Sequence, residues 1–288
     1  MQFIISGILV GTAYAVLAIG FCLIWGAARI VYLTYTAFYM LTAYFFYVLC
    51  TLIGLNIFLA ALLSIIISTL IGIATYRLCI ERIRGHETIV ILVSIALAFF
   101  FEEGIRSIFG SLFRRVPPFI SGYQELLGVR VLNQYILAFG VNLALIIGLW
   151  LFLSKSKIGL AIRATSQDRE IVSLMGISEK KVSAVAVTLG IGLGTVSSVM
   201  VAPIYVVEPA MWVPPIAMVL AIVVLGGLGS LKGSLIAAYI LGFSECAVVS
   251  YLPIGTFVKG AVALLVMIVI LFLRPEGMFG VNFEEERL

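Results

Sequence analysis

Charged residues are scarce in this chain. Only 11% of its 288 residues are Asp, Glu, Lys or Arg, against about 25% in ordinary soluble domains, so a water-soluble fold would lack the polar surface it needs. Apolar and aromatic residues make up 63% of the chain, and its mean hydropathy is +1.22. The apolar runs are continuous and do not alternate with polar residues, which favours spanning helices over a membrane barrel. We therefore expect an all-α integral membrane protein.

Histidine and cysteine are also rare, with one histidine and four cysteines. His86 lies in a short polar loop, and Cys22, Cys50, Cys79 and Cys246 lie in separate apolar runs without metal-site spacing. We predict no metal site and interpret the cysteines as small buried hydrophobic residues. An intramembrane enzyme is disfavoured too, because the sequence offers no nucleophile with a base and no convincing pair of carboxylates on two spans.

A helix that crosses a bilayer needs about 20 apolar residues. Nine stretches approach this length, so we predict about nine spans, or eight to ten, in a single transmembrane domain, 1–288. The stretches are 3–27, 34–54, 56–79, 88–110, 133–153, 182–207, 212–227, 234–251 and 256–273. The seventh is the shortest and leaves open a re-entrant or broken segment. The first run lacks a basic start and is long enough to remain as a helix, so we expect no cleavable signal peptide.

The loops between the spans predict an orientation, because Lys and Arg concentrate on the cytoplasmic side. With the N-terminus outside, thirteen basic residues fall inside: Arg29, Arg77, Arg82, Arg84, Lys155, Lys157, Arg163, Arg169, Lys180, Lys181, Lys232, Arg274 and Arg287. Four fall outside: Arg114, Arg115, Arg130 and Lys259. We therefore predict an outside N-terminus and a cytoplasmic C-terminus. The net charge of +4 reflects this asymmetry and does not suggest binding to nucleic acid.

The longest predicted cytoplasmic segment is the loop 154–181. Its pattern predicts one short helix that begins after an N-cap at Ser166 and ends at Gly176, with Ile171, Leu174 and Met175 on one apolar face. A second N-cap at Ser178 would begin the sixth span. Such an amphipathic helix suits either the lipid headgroup region or the groove of a partner protein, and its mixed charges and polar start favour the partner.

The sequence of this loop also resembles a known motif. The run IGLAIRATSQDREIVSLMGI, residues 158–177, resembles the cytoplasmic coupling loop of ATP-binding-cassette (ABC) importer permeases of the branched-chain amino acid type. Other motifs of that family follow in order along nearly the whole chain: Gly11, Tyr14 and 15–20 in the first span, 38–41 with Ala43 and Tyr44 in the second, LGGLGSLKGSL at 225–235, and LRPEGMFG at 273–280.

The resemblance implies one subunit of an importer in the cell membrane, either inner or plasma membrane. A second permease, as a homologous heterodimer or homodimer, would complete the pathway, two cytoplasmic subunits would use ATP and Mg, and an extracytoplasmic binding protein would deliver the substrate. This chain itself would bind no cofactor and catalyse no reaction. The residues that the resemblance implies in ATPase coupling are Arg163, Ala164, Thr165, Gln167, Asp168, Arg169, Leu174, Met175 and Gly176.

The sequence agrees with this division of labour. A phosphate-binding loop has the form G-x-x-x-x-G-K-[ST], and the glycine-rich run 226–232 lacks the glycine immediately before its lysine. We interpret that run as a tight turn between two spans on the inner face, with glycines that allow positive φ or close approach.

Ionisable residues inside predicted spans are candidates for the pathway or a gate, because burying them in a membrane is costly. Glu102 and Arg106 are four residues apart in the fourth span, so a neutralised pair on one helix face is the simpler interpretation and a polar vestibule the alternative. Glu245, in the eighth span, is the best single polar candidate, with a hydrogen bond to a neighbouring helix as the alternative. Glu208 is expected to be a solvated loop carboxylate at the outer face.

One segment departs from the family pattern. After the first span the family typically has Asn-Phe-Ala-His-Gly, whereas this chain has Tyr32, Leu33, Thr34, Tyr35 and Thr36. Tyr32, Thr34, Tyr35 and Thr36 are therefore candidate pathway residues, with packing at the inner interface as the alternative. Because of this difference the solute could be a branched-chain amino acid, another amino acid, an amide or a urea-like molecule. An ion-coupled secondary transporter or channel would suit the same spans but has no need of a coupling helix.

Overall fold

The computed structural model describes residues 2–126, 128–251, 261, 264–270, 272 and 277–279. Seven helical segments in this part of the chain are long and apolar enough to cross a membrane. They are α1 (Gln2–Ala28), α2 (Tyr35–Tyr47, extended by a π-helical turn to Leu52), α3 (Ile57–Thr75, extended likewise to Ile80), α4 (Glu87–Phe109), α5 (Asn133–Lys155), α8 (Glu179–Val201) and α10 (Leu231–Tyr251).

Three shorter helices lie between the long ones: α6 (Lys157–Gln167), α7 (Arg169–Leu174) and α9 (Val213–Gly226). The 14 residues of α9 rise about 21 Å, whereas a bilayer's hydrocarbon core is about 30 Å thick. The segment predicted as a short or broken span is therefore too short to cross as a straight helix. Pro214 and Pro215 lie in its first turn, where their missing N–H groups cost nothing.

The sixth predicted span, 182–207, differs from the structure at both ends. Helix α8 begins at Glu179, directly after Ser178 as predicted, although the Ser178 side chain makes no capping hydrogen bond. It ends at Val201, and residues 202–212 form a series of turns. Pro203 explains the early end, since proline cannot continue a helix without losing a backbone hydrogen bond.

A β-hairpin is the one departure from an all-α fold among the described residues. Strand β1 (Tyr123–Leu126) pairs antiparallel with β2 (Val129–Leu132), with Tyr123 opposite Leu132 and Gly128 in the turn at a φ of +79°. A backbone bridge between Arg114 and Val207 lies on the same side of the molecule, where α5 begins and α8 ends. Short strands outside the spans leave no trace in a hydropathy pattern.

The packing divides the long helices into central and peripheral ones. In their most apolar 18-residue windows, α1 is 72% buried and α2 and α8 are 67% buried, whereas α3 and α4 are 28% and α5 is 22% buried. Helix α1 packs most extensively against α10 and α8. The central helices α1, α2 and α8 therefore form the core, and α3, α4 and α5 expose apolar faces suited to lipid.

The glycine-rich run forms the predicted tight turn. Gly227 and Gly229 have φ angles of +93° and +88°, and a Cβ atom at Gly233 would clash with the carbonyl oxygen of Gly226. The second family motif docks on the same turn, because Met278 donates its backbone N–H to Leu225 O at 2.8 Å. Two motifs separated by some 40 residues thus meet at one end of α9.

The ninth predicted span, 256–273, lies largely outside the described residues. Those of its residues that are described, 261, 264–270 and 272, are helical. The predicted loop positions of Lys259, Arg274 and Arg287 also fall outside the described part of the chain.

Candidate functional site

Helix α7 presents an apolar surface that no other described part of the chain covers. Leu174, Met175 and Ile171 are 87%, 74% and 53% exposed, whereas Val172 on the opposite side of the helix is 4% exposed. The sequence predicted that these three residues share a face. We refer to Ile171, Leu174 and Met175 as the coupling surface.

The start of this helix was predicted incorrectly. Ser166 is not an N-cap: it lies inside α6, where its hydroxyl donates to Arg163 O at 2.7 Å. Asp168 caps α7 instead, because its Oδ1 accepts from the Ile171 N–H at 3.0 Å. The predicted end is confirmed, with Gly176 at a φ of +78° and its N–H donating to Ser173 O. The loop 154–181 therefore contains two helices, α6 and α7, where one was expected.

An ionic network attaches the first residue of α7 to the end of α1. Arg169 donates through Nη2 to Ala27 O at 3.0 Å and pairs through Nη1 with Glu179 Oε1 at 2.8 Å. Arg84 pairs with the same carboxylate, and the Ser183 hydroxyl donates to Ala27 O at 3.0 Å. Burial, followed by the positive charge of Arg84, lowers the pKa of Arg169 from its ordinary value. The Glu179 carboxylate, which pairs with both arginines, offsets the free-energy cost of burying Arg169 beside Arg84.

The other predicted coupling residues lie on α6. Thr165 is buried and donates to Ala161 O, and Ala164 is half-buried. Arg163 and Gln167 are exposed. The end of this helix also contacts α1, because Arg29 donates to Ser166 O at 3.3 Å. Both helices of the loop are thus held against the same end of α1.

A cavity of about 330 Å³ lies near the other end of α1, within a single chain. Helices α1, α2, α5, α8 and α9 and the turns between α8 and α9 enclose it. Its walls are mostly apolar, and four tyrosines supply most of the polar groups: Tyr14, Tyr39, Tyr135 and Tyr205. Cavities of this size lie at the small end of the range for small-molecule sites, about 300 to 1,000 Å³.

Glu245 lies directly behind this cavity wall. It is 5% exposed, and its Oε2 accepts a hydrogen bond from the Tyr14 hydroxyl at 2.8 Å. The hydrogen bond to a neighbouring helix, which was one of the two interpretations of Glu245, is therefore present. It also connects the carboxylate to a residue that lines the cavity.

Glu102 connects α4 to the start of α9. Its carboxylate pairs with Arg106 through Oε1 and accepts from Trp212 Nε1 at 2.7 Å through Oε2. The pairing of residues four apart is as predicted, and Glu103 contacts Arg106 as well, at 2.7 Å. None of these residues lines the cavity. The geometry is that of an interhelical attachment.

The segment that departs from the family pattern is packed into the core. Tyr32, Thr34, Tyr35 and Thr36 are at most 1% exposed. Thr34 donates to Ser94 O at 2.7 Å, and Tyr35 donates to Leu17 O at 3.1 Å. Burial raises the pKa of Tyr32, so its phenol stays neutral. These residues do not line the cavity, and their role in a pathway stays a prediction.

Several polar residues of the cavity were not selected from the sequence, among them Ser197 and Glu208. Ser197 gave no signal, because serines are common in membrane helices. Glu208, interpreted as a solvated loop carboxylate, is half-buried in the cavity wall. Its position beside Pro209 at the end of a span was the available signal, but a hydropathy pattern does not show which loops fold back over a cavity.

Together, the helical bundle, the cavity and the exposed apolar face of α7 are typical of a membrane transport subunit. The fold is found in a solved structure: a chain of PsaBC from Streptococcus pneumoniae, in complex with Fab, matches with a TM-score of 0.54 at 14% identity, covering 97% of this chain and 94% of that one. At this identity the match shows the fold alone.

Sequence comparison identifies the family. The family described as branched-chain amino acid transport system, permease component, matches residues 3–271. Relatives include the high-affinity branched-chain amino acid permease BraD of Pseudomonas aeruginosa (27% identical), LivH of Escherichia coli K12 (25%) and a probable LivH of Methanocaldococcus jannaschii (25%), each covering 97% of this chain and 92 to 95% of the relative. The chain belongs to this permease family and is an integral membrane protein.

Proposed function

We propose that this chain forms part of the translocation pathway of an ATP-driven importer of branched-chain amino acids. The observation that carries the proposal is the coupling surface on α7, exposed on one side and attached through Arg169 to α1 on the other. An apolar helix face ringed by polar residues suits a groove in a partner protein. Family membership supports the substrate class, since the relatives are named as branched-chain amino acid permeases.

Helix α1 provides the mechanical link between the coupling surface and the cavity. Ala27 near its end accepts from Arg169, and Leu9, Tyr14 and Leu17 in its first two thirds line the cavity. Ala27 lies ten residues from Leu17, which corresponds to about 15 Å of helix. A displacement of α7 would therefore move the cavity wall as part of one rigid helix. This is a two-state element that a partner can bias.

The energy source in this proposal lies in partner subunits. Two cytoplasmic ATP-binding subunits, which use ATP and Mg, dock on the coupling surfaces of this chain and a second permease. An extracytoplasmic binding protein delivers the amino acid to the face that carries the hairpin. This chain binds no nucleotide and catalyses no reaction in the scheme.

The proposed orientation places the N-terminus outside and α7 in the cytoplasm. Arg29, Arg84 and Arg169 all meet beside α7, which supports that side as cytoplasmic. Gln167→Cys and Gln124→Cys place the same substitution at exposed positions on opposite faces. A membrane-impermeant maleimide applied to intact cells is expected to label Gln124→Cys, and Gln167→Cys only after permeabilisation. The unmodified chain measures the background from its own cysteines, and the reverse pattern would invert the topology.

Docking is tested by co-purification with the ATP-binding subunits. The double variant Leu174→Glu and Met175→Glu is expected to lose these subunits while it still inserts, because charges replace the exposed apolar face. Leu112→Glu is the matched control, since Leu112 is 67% exposed in the loop after α4, on the opposite side. If the double variant retains the ATP-binding subunits as well as the control does, α7 contacts lipid headgroups and the docking proposal fails.

A further inference from the structure

The cavity beside α1 that Tyr14 and Glu208 line has the composition of a site for a small amphipathic molecule. Leu17, Val201, Met211 and Pro215 provide apolar wall, and the phenols of Tyr14, Tyr39, Tyr135 and Tyr205 provide polar groups among them. Binding sites for small molecules combine mostly apolar walls with a few placed polar groups. All of these lining residues belong to this chain.

The one charged residue among those that line this cavity is acidic. Glu208 lies in the wall, whereas the lining contains no Lys or Arg. Arg114 is close in the fold, since its backbone pairs with Val207, but its guanidinium donates to Phe109 O and lies over the Tyr47 ring. Within the described part of the chain, no cation lies within 4 Å of the Glu208 carboxylate. The cavity therefore favours a positively charged group.

Ser197 adds a polar group that the fold itself does not use. Its side chain is 0% exposed and lines the cavity, and its hydroxyl has no hydrogen-bond partner among the described residues. A buried polar group without a partner destabilises the folded protein. A bound molecule that hydrogen-bonds this hydroxyl would remove that destabilisation.

We propose that this cavity is a binding site for a small aliphatic molecule with a protonated amino group, such as the zwitterion of leucine. The ammonium group faces Glu208, the carboxylate faces the Ser197 hydroxyl, and the aliphatic part packs against the apolar wall. The site makes this permease selective for its solute, so that selection does not rest on a binding protein alone. This inference rests on the proposed function, because it assumes that the molecule bound in the cavity is also the one transported.

The proposal is tested on the full chain, purified without ATP-binding subunits or binding protein. Saturable binding of radiolabelled L-leucine is measured by scintillation proximity. Unlabelled 3-methylbutylamine, which keeps the amine and the aliphatic part, is expected to compete. Unlabelled 4-methylpentanoate, which keeps the carboxylate and loses the amine, is expected to compete at least roughly tenfold more weakly, as the loss of a charge-assisted contact predicts.

Variants locate the binding site. Glu208→Gln is expected to weaken leucine binding roughly tenfold or more, and Ser197→Ala about threefold to tenfold. Glu125→Gln is the matched control: it makes the same substitution in an exposed carboxylate on the hairpin, and binding should not change. No saturable binding, equal competition by the two analogues, or equal effects of Glu208→Gln and Glu125→Gln would each overturn the proposal.

The competition experiment uses the native chain, so it decides even if a variant fails to fold. Failure of this proposal is also separable from failure of the importer assignment. Leucine binding by a chain that never co-purifies with ATP-binding subunits from native membranes would uphold the site and contradict the importer. Co-purified ATP-binding subunits without leucine binding to the permease would do the opposite.

Discussion

The crossing of α1 and α8 yields the sharpest prediction about stability. At Gly190 a Cβ atom would lie 2.7 Å from the carbonyl oxygen of Gly20 and 2.7 Å from Ile24 Cγ1. Gly192, two residues further along the same helix, has nothing within 4 Å of the corresponding position. Gly190→Ala and Gly192→Ala are therefore the same substitution in the same helix, one into packed backbone and one into open space.

The difference between the two variants follows from this geometry. Replacing glycine by alanine inside a helix gains roughly 0.5 to 1 kcal/mol from backbone entropy, and both variants share this gain. Only Gly190→Ala also overpacks the interface, which typically costs about 1 to 3 kcal/mol. A carbonyl oxygen on a central helix cannot turn aside as a flexible side chain can. We expect Gly190→Ala to be less stable than Gly192→Ala by about that cost.

The assay is thermal denaturation of each purified variant in the same detergent, followed by size-exclusion chromatography. For domains of this size, about 1 kcal/mol shifts the midpoint by about 2 to 4 °C, so Gly190→Ala should denature roughly 2 to 12 °C below Gly192→Ala. Equal midpoints, or a higher one for Gly190→Ala, would show that the two backbones do not cross as closely as described.

Two further predictions concern polar contacts. Glu102→Ala removes the acceptor of the buried Trp212 indole N–H, so it should destabilise the protein by about 1 to 3 kcal/mol. In the same denaturation assay Glu103→Ala, at an exposed carboxylate, should change the stability by no more than about 0.5 kcal/mol. Equal losses of stability would refute the interhelical role of Glu102. Asp168→Ala removes the cap of α7, which typically costs about 0.5 to 2 kcal/mol locally. This variant should lower transport-coupled ATPase activity without changing the denaturation midpoint, whereas Asp168→Ser should retain the ATPase activity. Normal coupling in Asp168→Ala would show that the cap is dispensable.

Hydropathy placed most of the spans because lipid acts on each segment separately. The prediction 34–54 corresponds to Tyr35–Leu52, and 133–153 corresponds to Asn133–Lys155. The apolar face of α7 could also be predicted from the sequence, since three apolar residues at helical spacing share one side of a helix whatever surrounds them. The glycine-rich turn followed from the need for positive φ.

Contacts between residues that are distant along the chain could not be predicted from the sequence. Ser166 and Asp168 are both good cap residues two positions apart, and the sequence does not show that α6 continues through Ser166, whose carbonyl accepts from Arg29. The Trp212 indole is buried against the carboxylate of Glu102, 110 residues away along the chain. The cavity combines five helices, so no local pattern contains it.

In the proposed mechanism, ATP-driven movement of α7 powers amino acid uptake through this chain. The direct measurement is uptake of radiolabelled leucine into proteoliposomes that contain the permeases and ATP-binding subunits, with ATP inside and the binding protein outside. Uptake should require internal ATP, persist in Leu112→Glu, and be lost in the Leu174→Glu and Met175→Glu double variant while that variant still binds leucine. Uptake that needs no ATP and follows an ion gradient, or that the double variant leaves unchanged, would contradict it.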